Sequence, residues 1–506
     1  MTDTGEDKLQ LLKDRMASLS DLGGAGMTLF WDRQVYMPEG AVEGRAEQLA
    51  TISRISHEIL TAQETGDLIE ALDDLDPETD DGALVRVARR NYEKATRLPS
   101  RLVEDLSRAQ SLAEPAWVNA RAESDWSAFA PYLERLISLQ RESAEHLGYE
   151  DHPYDAMIDA FEPGQTKARV AEMFEGLKAG ILPLLGEVYD SIADSDGDRS
   201  APLHGEFDEK KQEEFGQAVI TAFGYDWSRG RQDRTVHPFC AGINAGDVRI
   251  TTRFDPTWLS PALFATFHES GHAMYEQGVD PTYTRTPLAG GTSLGVHESQ
   301  SRLWENLVGR SRPFWTHYYP KLQETFPGEL GDTDLETFYR AINAVAPSDI
   351  RVEADELTYN LHILLRFELE VAIMEDKLPV ADLPEAWNAK MEEYLGIRPE
   401  NDAQGVLQDV HWSAGLFGYF PTYSIGNVLS VQLFDIATEQ QPEIKDEISQ
   451  GEFGTLRNWL RENIHQYGSK HEPEDLVQRV TGSPLNAEPY LKYLNNKFSE
   501  LYGLDR

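Results

Sequence analysis

A chain of 506 residues that is 40% hydrophobic and 10% aromatic can bury a large core, which excludes an intrinsically disordered protein. Its formal net charge of -41, from 87 acidic against 46 basic residues, has the wrong sign for a nucleic-acid binder. No apolar run approaches the roughly 20 residues needed to cross a bilayer, and the acidic N-terminus lacks a signal-peptide stretch, so no membrane role is expected.

Apolar residues at helical spacing predict helices over 8–20, 41–60, 84–96, 128–147 and 168–188. Acidic, turn-rich breaks fall near 73–82 and 194–209. The second holds Asp194-Ser-Asp196-Gly197-Asp198, which looks like the start of a calcium loop. Such a loop needs glycine sixth and glutamate twelfth, where this chain has Arg199 and Gly205, so the segment reads as a solvated loop. Strand-like sequence is concentrated at 236–254. There the turn Gly242-Ile-Asn-Ala-Gly246 precedes the alternating, β-branched Val248-Arg-Ile-Thr-Thr-Arg-Phe254. Cys240, alone of its kind, cannot form an internal disulfide; it reads as a buried small residue in a protein of the reducing cytoplasm. The acids are dispersed over the whole chain instead of forming a tail, a pattern that suits a halophilic surface whose self-repulsion is screened by salt.

Ser260-Pro261 reads as a helix start, with a hydroxyl cap followed by proline in the first turn, and Gly278 as its stop. Within this helix His268 and His272 are four residues apart, so both imidazoles project from one face and can grip one ion. Glu269 neighbours the first histidine without sharing its direction, and can accept a proton from water activated at the metal. Two surface histidines on a helix would be the plainer reading. The apolar setting of Leu263, Phe264 and Phe267 argues against it. A catalytic zinc keeps three protein ligands and one open position. Glu298, 26 residues past His272, is the candidate third ligand, reached through a loop over 281–295 and a returning helix. Its alternative role is a carboxylate capping the first turn of that helix. From 260 to the end the pattern is helical, apart from a glycine- and aromatic-rich interruption at 413–427. One large unit over 1–506 is expected, with approximate lobes 1–230 and 231–506.

Several ordered stretches carry a family resemblance. They are His237-Pro-Phe239, Asp247-Val-Arg-Ile-Thr251, His268-Glu-Ser-Gly-His272, His297-Glu-Ser-Gln300, Ile350-Arg-Val-Glu-Ala-Asp355 and Gly405-Val-Leu-Gln-Asp-Val-His-Trp412. Trp31-Asp32, Met37-Pro38 and Pro489-Tyr-Leu-Lys-Tyr493 extend it to both ends. The chain resembles the carboxypeptidase Taq family of thermostable metallocarboxypeptidases, related in fold to neurolysin and angiotensin-converting enzyme. The resemblance implies a mainly helical fold with a deep groove between two lobes and a small sheet beside the metal helix. It also implies a homodimer, peptide substrates, zinc as the metal with cobalt as a substitute, and release of single C-terminal residues. A metallo-endopeptidase or dipeptidyl carboxypeptidase would use the same zinc site, and a non-catalytic metal-binding protein is a third reading. In several relatives of the wider zincin group an aspartate four residues after the glutamate ligand orients the first histidine. Here that place is Arg302, so the partner of His268 must come from elsewhere.

For the oxyanion, the resemblance implies His411 and Tyr423, with Tyr419 as an alternative to Tyr423 and aromatic core packing as the competing explanation. A carboxypeptidase also needs a cation for the terminal carboxylate, and the planar fork of arginine suits it. Arg351 and Arg249 are the candidates. Each could instead be a structural ion-pair partner, Arg351 with Asp355 one turn on.

Overall fold

The computed structural model describes residues 5–193 and 198–504, and these are mainly helical. Positions 194–197 of the acidic loop lie outside the described residues. The expected helices are present and mostly longer than their apolar periodicity: Gly5–Val35, Val42–Thr61, Asp80–Arg97, Trp126–Leu147 and Lys167–Ile192. None of the described helices is long and apolar enough to cross a membrane.

The chain forms two compact units, each assembled from three segments. The first takes 1–96, 199–342 and 430–484; the second takes 97–198, 343–429 and 485–506. The expected boundary near 230 falls inside the middle segment of the first unit. Hydrophobic patterning gives no sign of such interleaving, because it records which face is buried and not which segments bury it together.

In the first unit, a three-stranded sheet has the order β1-β3-β2, with β1 Gln232–Arg234, β2 Cys240–Asn244 and β3 Asp247–Thr252. β2 and β3 form the expected hairpin, with Cys240 opposite Ile250 and an irregularity between Gly242 and Asn244. β1 pairs parallel to β3 and was not evident in the sequence, being only three residues long. Helix Leu259–Gly278 packs on this sheet. Its N-cap is Trp258, not Ser260, which puts Ser260 and Pro261 at the second and third positions of the first turn. Proline is tolerated there because the first-turn amides have no carbonyl partner within the helix. Gly278 does end the helix, but not by adopting a left-handed backbone; a Cβ there would stand 2.6 Å from the side chain of His465.

Behind helix 259–278 lies an aromatic cluster. Phe223 meets Trp304 at 4.6 Å and Phe453 at 4.8 Å between ring centroids, and Phe267 meets Phe314 at 5.7 Å. Phe223, Phe267, Trp304, Phe314 and Phe453 are all buried. Each ring contributes about 1.5–3 kcal/mol by burial, enough to fix the back of the helix and leave its other face for chemistry.

Candidate metal centre

Gly271 sets the geometry. A Cβ at this position would stand 2.6 Å from the Gln300 carbonyl oxygen and 2.7 Å from the Ser301 Cα, so helix 259–278 and helix Leu294–Arg302 touch backbone to backbone. Buried Ser270, Ser299 and Ser301 keep the seam narrow. Ser293 caps the second helix by accepting from the Val296 amide. Glu298 therefore sits beyond its first turn, where a capping role would have no orphan amide to serve.

Across this seam His268 Nε2 lies 3.6 Å and His272 Nε2 3.4 Å from Glu298 Oε2. All three ligand atoms lie within 4.8 Å of one another, and no other such group of His, Cys, Asp or Glu occurs among the described residues. Two imidazole nitrogens and one carboxylate oxygen are a donor set that suits a divalent metal ion. Charge fits as well. Glu269, Glu276, Glu298 and Glu305 surround the cluster, against Arg302 and Arg310. A divalent cation would offset that excess of acid.

The partner of His268 that the sequence did not reveal is Glu305, whose Oε2 lies 2.8 Å from His268 Nδ1. Helix 294–302 continues into a π-helical turn, Leu303–Val308, whose residues are all buried. Glu298 and Glu305 are seven residues apart, two helical turns, and that spacing was a readable signal. Arg302, four residues after Glu298, bridges the two carboxylates. Its Nε donates to Glu298 Oε1 at 2.7 Å and its Nη1 to Glu305 Oε2 at 3.2 Å. This leaves Glu298 Oε2 facing the histidines, with the Ser301 hydroxyl also donating to it at 3.1 Å.

The surroundings divide the protonation states. Burial alone would raise Glu298, but Arg302 and His268 hold it well below the usual carboxylate range. Glu305, likewise buried, is drawn down to about 2 by Arg302 and His268. Burial depresses His272 to about 3, which keeps the imidazole neutral and able to ligate. Glu269 is 6% exposed, makes no such pair, and burial raises it to about 7. Its affinity for a proton is near that of a working general base.

Arg249 is on β3 in the same unit. Asp247 takes one edge of its guanidinium, Nε to Oδ1 at 2.8 Å and Nη2 to Oδ2 at 2.7 Å, and the guanidinium lies 4.3 Å from the Trp31 ring centroid.

The second unit brings the remaining candidates together. Arg351 opens a 3-10 turn and is 6% exposed. Its ion-pair partner is Asp409, not Asp355: Nε and Nη2 donate to Asp409 Oδ1 at 3.0 and 2.8 Å, while Nη1 donates to the Tyr359 hydroxyl at 3.0 Å. Asp355 instead accepts from the Ala346, Leu357 and Thr358 amides, closing its own turn. Fully buried Arg366 takes the other oxygen of Asp409, Nε to Oδ2 at 2.7 Å. Two guanidiniums thus share one carboxylate, which leaves a positive charge in excess among these three groups.

His411 Nε2 lies 3.2 Å from the Tyr423 hydroxyl, while its Nδ1 is buried without a hydrogen-bond partner, 3.8 Å from Asp409. Burial depresses His411 to about 3; Asp409 opposes this and the two arginines reinforce it. Its imidazole is neutral at ordinary pH. The Tyr419 ring is 5.2 Å from that of His411 and 5.5 Å from that of Tyr423, so both tyrosines adjoin the histidine. Tyr423 lies in helix Pro421–Gln440, which starts inside the expected interruption at 413–427. The irregular part lies before it, where Gly415 and Gly418 adopt positive φ. A Cβ at Gly418 would stand 2.5 Å from the Met157 backbone, the physical reason for glycine there.

Comparison with known proteins gives a consistent result. Residues 11–498 match the family model described as carboxypeptidase Taq (M32) metallopeptidase. The chain is 42% identical to thermostable carboxypeptidase 1 of Thermus thermophilus, covering 99% of this chain and 100% of that one. It is 41% identical to carboxypeptidase 1 of Bacillus subtilis, over 97% and 98% of the two chains. The crystal structure of an M32 carboxypeptidase from Deinococcus radiodurans superposes with a TM-score of 0.94 at 43% identity, covering 98% of this chain and all of the other.

Proposed function

The chain belongs to the carboxypeptidase Taq (M32) metallopeptidase family, and we propose that it is a zinc carboxypeptidase removing single residues, with broad specificity, from the free C-terminus of peptides. The observation that carries this reading is the convergence of His268 Nε2, His272 Nε2 and Glu298 Oε2, with Glu269 buried beside them. When bound by these ligands, zinc, or cobalt in its place, supplies a Lewis acid that polarises the scissile carbonyl and makes water more acidic. Glu269 takes the proton from the attacking water and returns it to the leaving amine. His411, neutral and carrying its one proton on Nε2, donates to the developing oxyanion and the Tyr423 hydroxyl is the second donor, the 3.2 Å contact between the two being exchanged for the oxyanion.

Arg351 receives the terminal carboxylate. An exopeptidase must tell a chain end from an internal peptide bond, and one negative charge is the difference. The charge balance separates the two arginines: Arg249 is neutralised one-to-one by Asp247, whereas Arg351 and Arg366 together exceed Asp409 by one. Losing a buried charged partner typically costs about 2–5 kcal/mol, so Arg351→Ala should lower kcat/KM for free-acid peptides by about 30-fold or more with zinc content unchanged. Arg351→Lys should recover only part of this. Mass spectrometry of matched free-acid and C-terminally amidated peptides, with and without chelator, tests the reading. Trimming of the free acid alone, abolished by chelator, is expected. Internal cleavage of the amide would make the protein an endopeptidase, and a normal Arg351→Ala with a crippled Arg249→Ala would move recognition to β3.

The remaining properties are proposals of the same kind: the family resemblance implies a homodimer, the single cysteine suits a reducing cytoplasm, and the net charge suits a surface adapted to high salt. At about 0.01 M salt the Debye length is ~30 Å, so repulsion within a net charge of -41 reaches across much of the surface. The melting temperature should therefore rise by several degrees between low and molar salt. A flat melt would remove the halophilic reading.

A further inference from the structure

His272 and His268 are held in different ways. His268 Nδ1 meets the Glu305 carboxylate directly. His272 Nδ1 instead lies 2.5 Å from Nδ1 of a second histidine, His297, whose Nε2 lies 2.8 Å from Glu276 Oε1. The protons can be assigned from connectivity. His272 Nε2 is the nitrogen facing Glu298, so a ligating, neutral imidazole must carry its proton on Nδ1. That proton can go only to a lone pair, so His297 Nδ1 accepts. His297 must then carry its own proton on Nε2, where Glu276 accepts it. One polarity satisfies all three residues.

We propose that His297 is the positioning residue for His272: backed by Glu276, it locks the imidazole in the tautomer that presents Nε2 to the metal, and so sets metal affinity.

The packing supports a built arrangement. The His297 ring lies 4.6 Å from that of His272 and 5.2 Å from that of Tyr275. Gly291 leaves the space for it, since a Cβ there would stand 2.8 Å from His297 Cδ2. A Cβ at Gly242 on β2 would come within 3.3 Å of Glu276 Oε2. The relay comes from three places: Glu276 one turn after His272 on the same helix, His297 one residue before Glu298, and glycine walls from a strand and a loop. Its direction is the same as at His268, with Nδ1 donating away from the metal, but the carboxylate charge stands one ring further from the ligand.

The proposal rests on His272 being a ligand, and the test separates the two claims. Zinc dissociation constants are measured by chelator competition, and the visible spectrum of the cobalt-substituted protein is recorded. His297→Leu keeps bulk but cannot accept, and should weaken zinc binding about 10–100-fold and shift the cobalt bands. His297→Gln offers one acceptor and one donor, and should return affinity to within a few-fold of the parent protein. Glu276→Leu, which leaves both rings in place, should weaken binding in the same direction by a smaller factor, and it decides the matter if His297→Leu does not fold. Unchanged affinity and spectrum in the leucine variants, or a glutamine variant as weak as leucine, overturns the proposal. His272→Ala is the control. If it retains zinc, the ligand assignment itself fails; if it loses zinc while the leucine variants do not, only the role of His297 fails.

Discussion

Replacing Glu269 by glutamine should leave the metal in place and reduce kcat by about a thousandfold. Glutamine matches glutamate in shape, and Glu269 makes no pair with a neighbouring cation, so neither fold nor ligands should be disturbed. What the amide lacks is basicity. Burial raises Glu269 to about 7 while His268 lowers it and Glu298 and Glu305 raise it; a bound cation would draw it back down. The carboxylate is thus ionised when the metal is bound, yet basic enough to take a proton, the compromise a general base requires. General acid–base groups typically contribute 10²–10⁴-fold, and Glu269 serves both for the water and for the amine. Turnover should fall at all pH values, because the other carboxylates nearby are engaged: Glu298 faces His268 and His272, Glu305 is held by His268 and Arg302, and Glu276 faces His297. Metal analysis and peptide cleavage measured on one preparation check this. Parental turnover with full metal would remove Glu269 from the mechanism.

The sequence showed the metal helix well because its signals are local. Two histidines four apart fix their shared face whatever the tertiary structure. Glu298 was legible because the search for a third ligand had few acids on an adjoining helix to choose from. Glu305 and His297 were missed for different reasons. Glu305 shares a helical face with Glu298, but it lies a turn beyond Arg302, the place at which the wider zincin pattern puts an orienting acid. His297 stands in the motif His297-Glu-Ser-Gln300, but its contact with His272 exists only once Gly271 lets the two helices touch. The Arg351–Asp409 pair spans 58 residues and the division into units interleaves six segments. No periodicity in one stretch encodes a partner in another. Helix lengths were underestimated for a related cause: Gly5–Val35 buries only Leu12, Met16 and Trp31, so most of its 31 residues carry a weak apolar signal.

Removing Glu298 should have the other large effect, and on the metal instead of turnover alone. Glu298→Ala leaves His268 and His272 as a two-nitrogen site. A structural zinc site typically binds with about 10–16 kcal/mol shared among its ligands, so one lost ligand should weaken binding by on the order of a hundredfold or more. Two secondary effects add to this. Arg302 loses the acceptor for its Nε, and its positive charge then stands near both histidines with one carboxylate fewer beside it. The Ser301 hydroxyl retains its bond to the backbone carbonyl at 298, so the helix itself should survive. The variant should therefore fold, elute with little metal after dialysis against a mild chelator, and recover activity only with a large excess of zinc. Glu305→Ala provides the contrast. It removes an orienting contact and no ligand, so its loss of affinity should stay within about 10–100-fold and activity should return at modest zinc. Atomic absorption on both variants beside the parent protein orders the two residues. Full stoichiometry in Glu298→Ala would place the third ligand elsewhere, and equal losses in the two variants would mean that Glu305 itself coordinates.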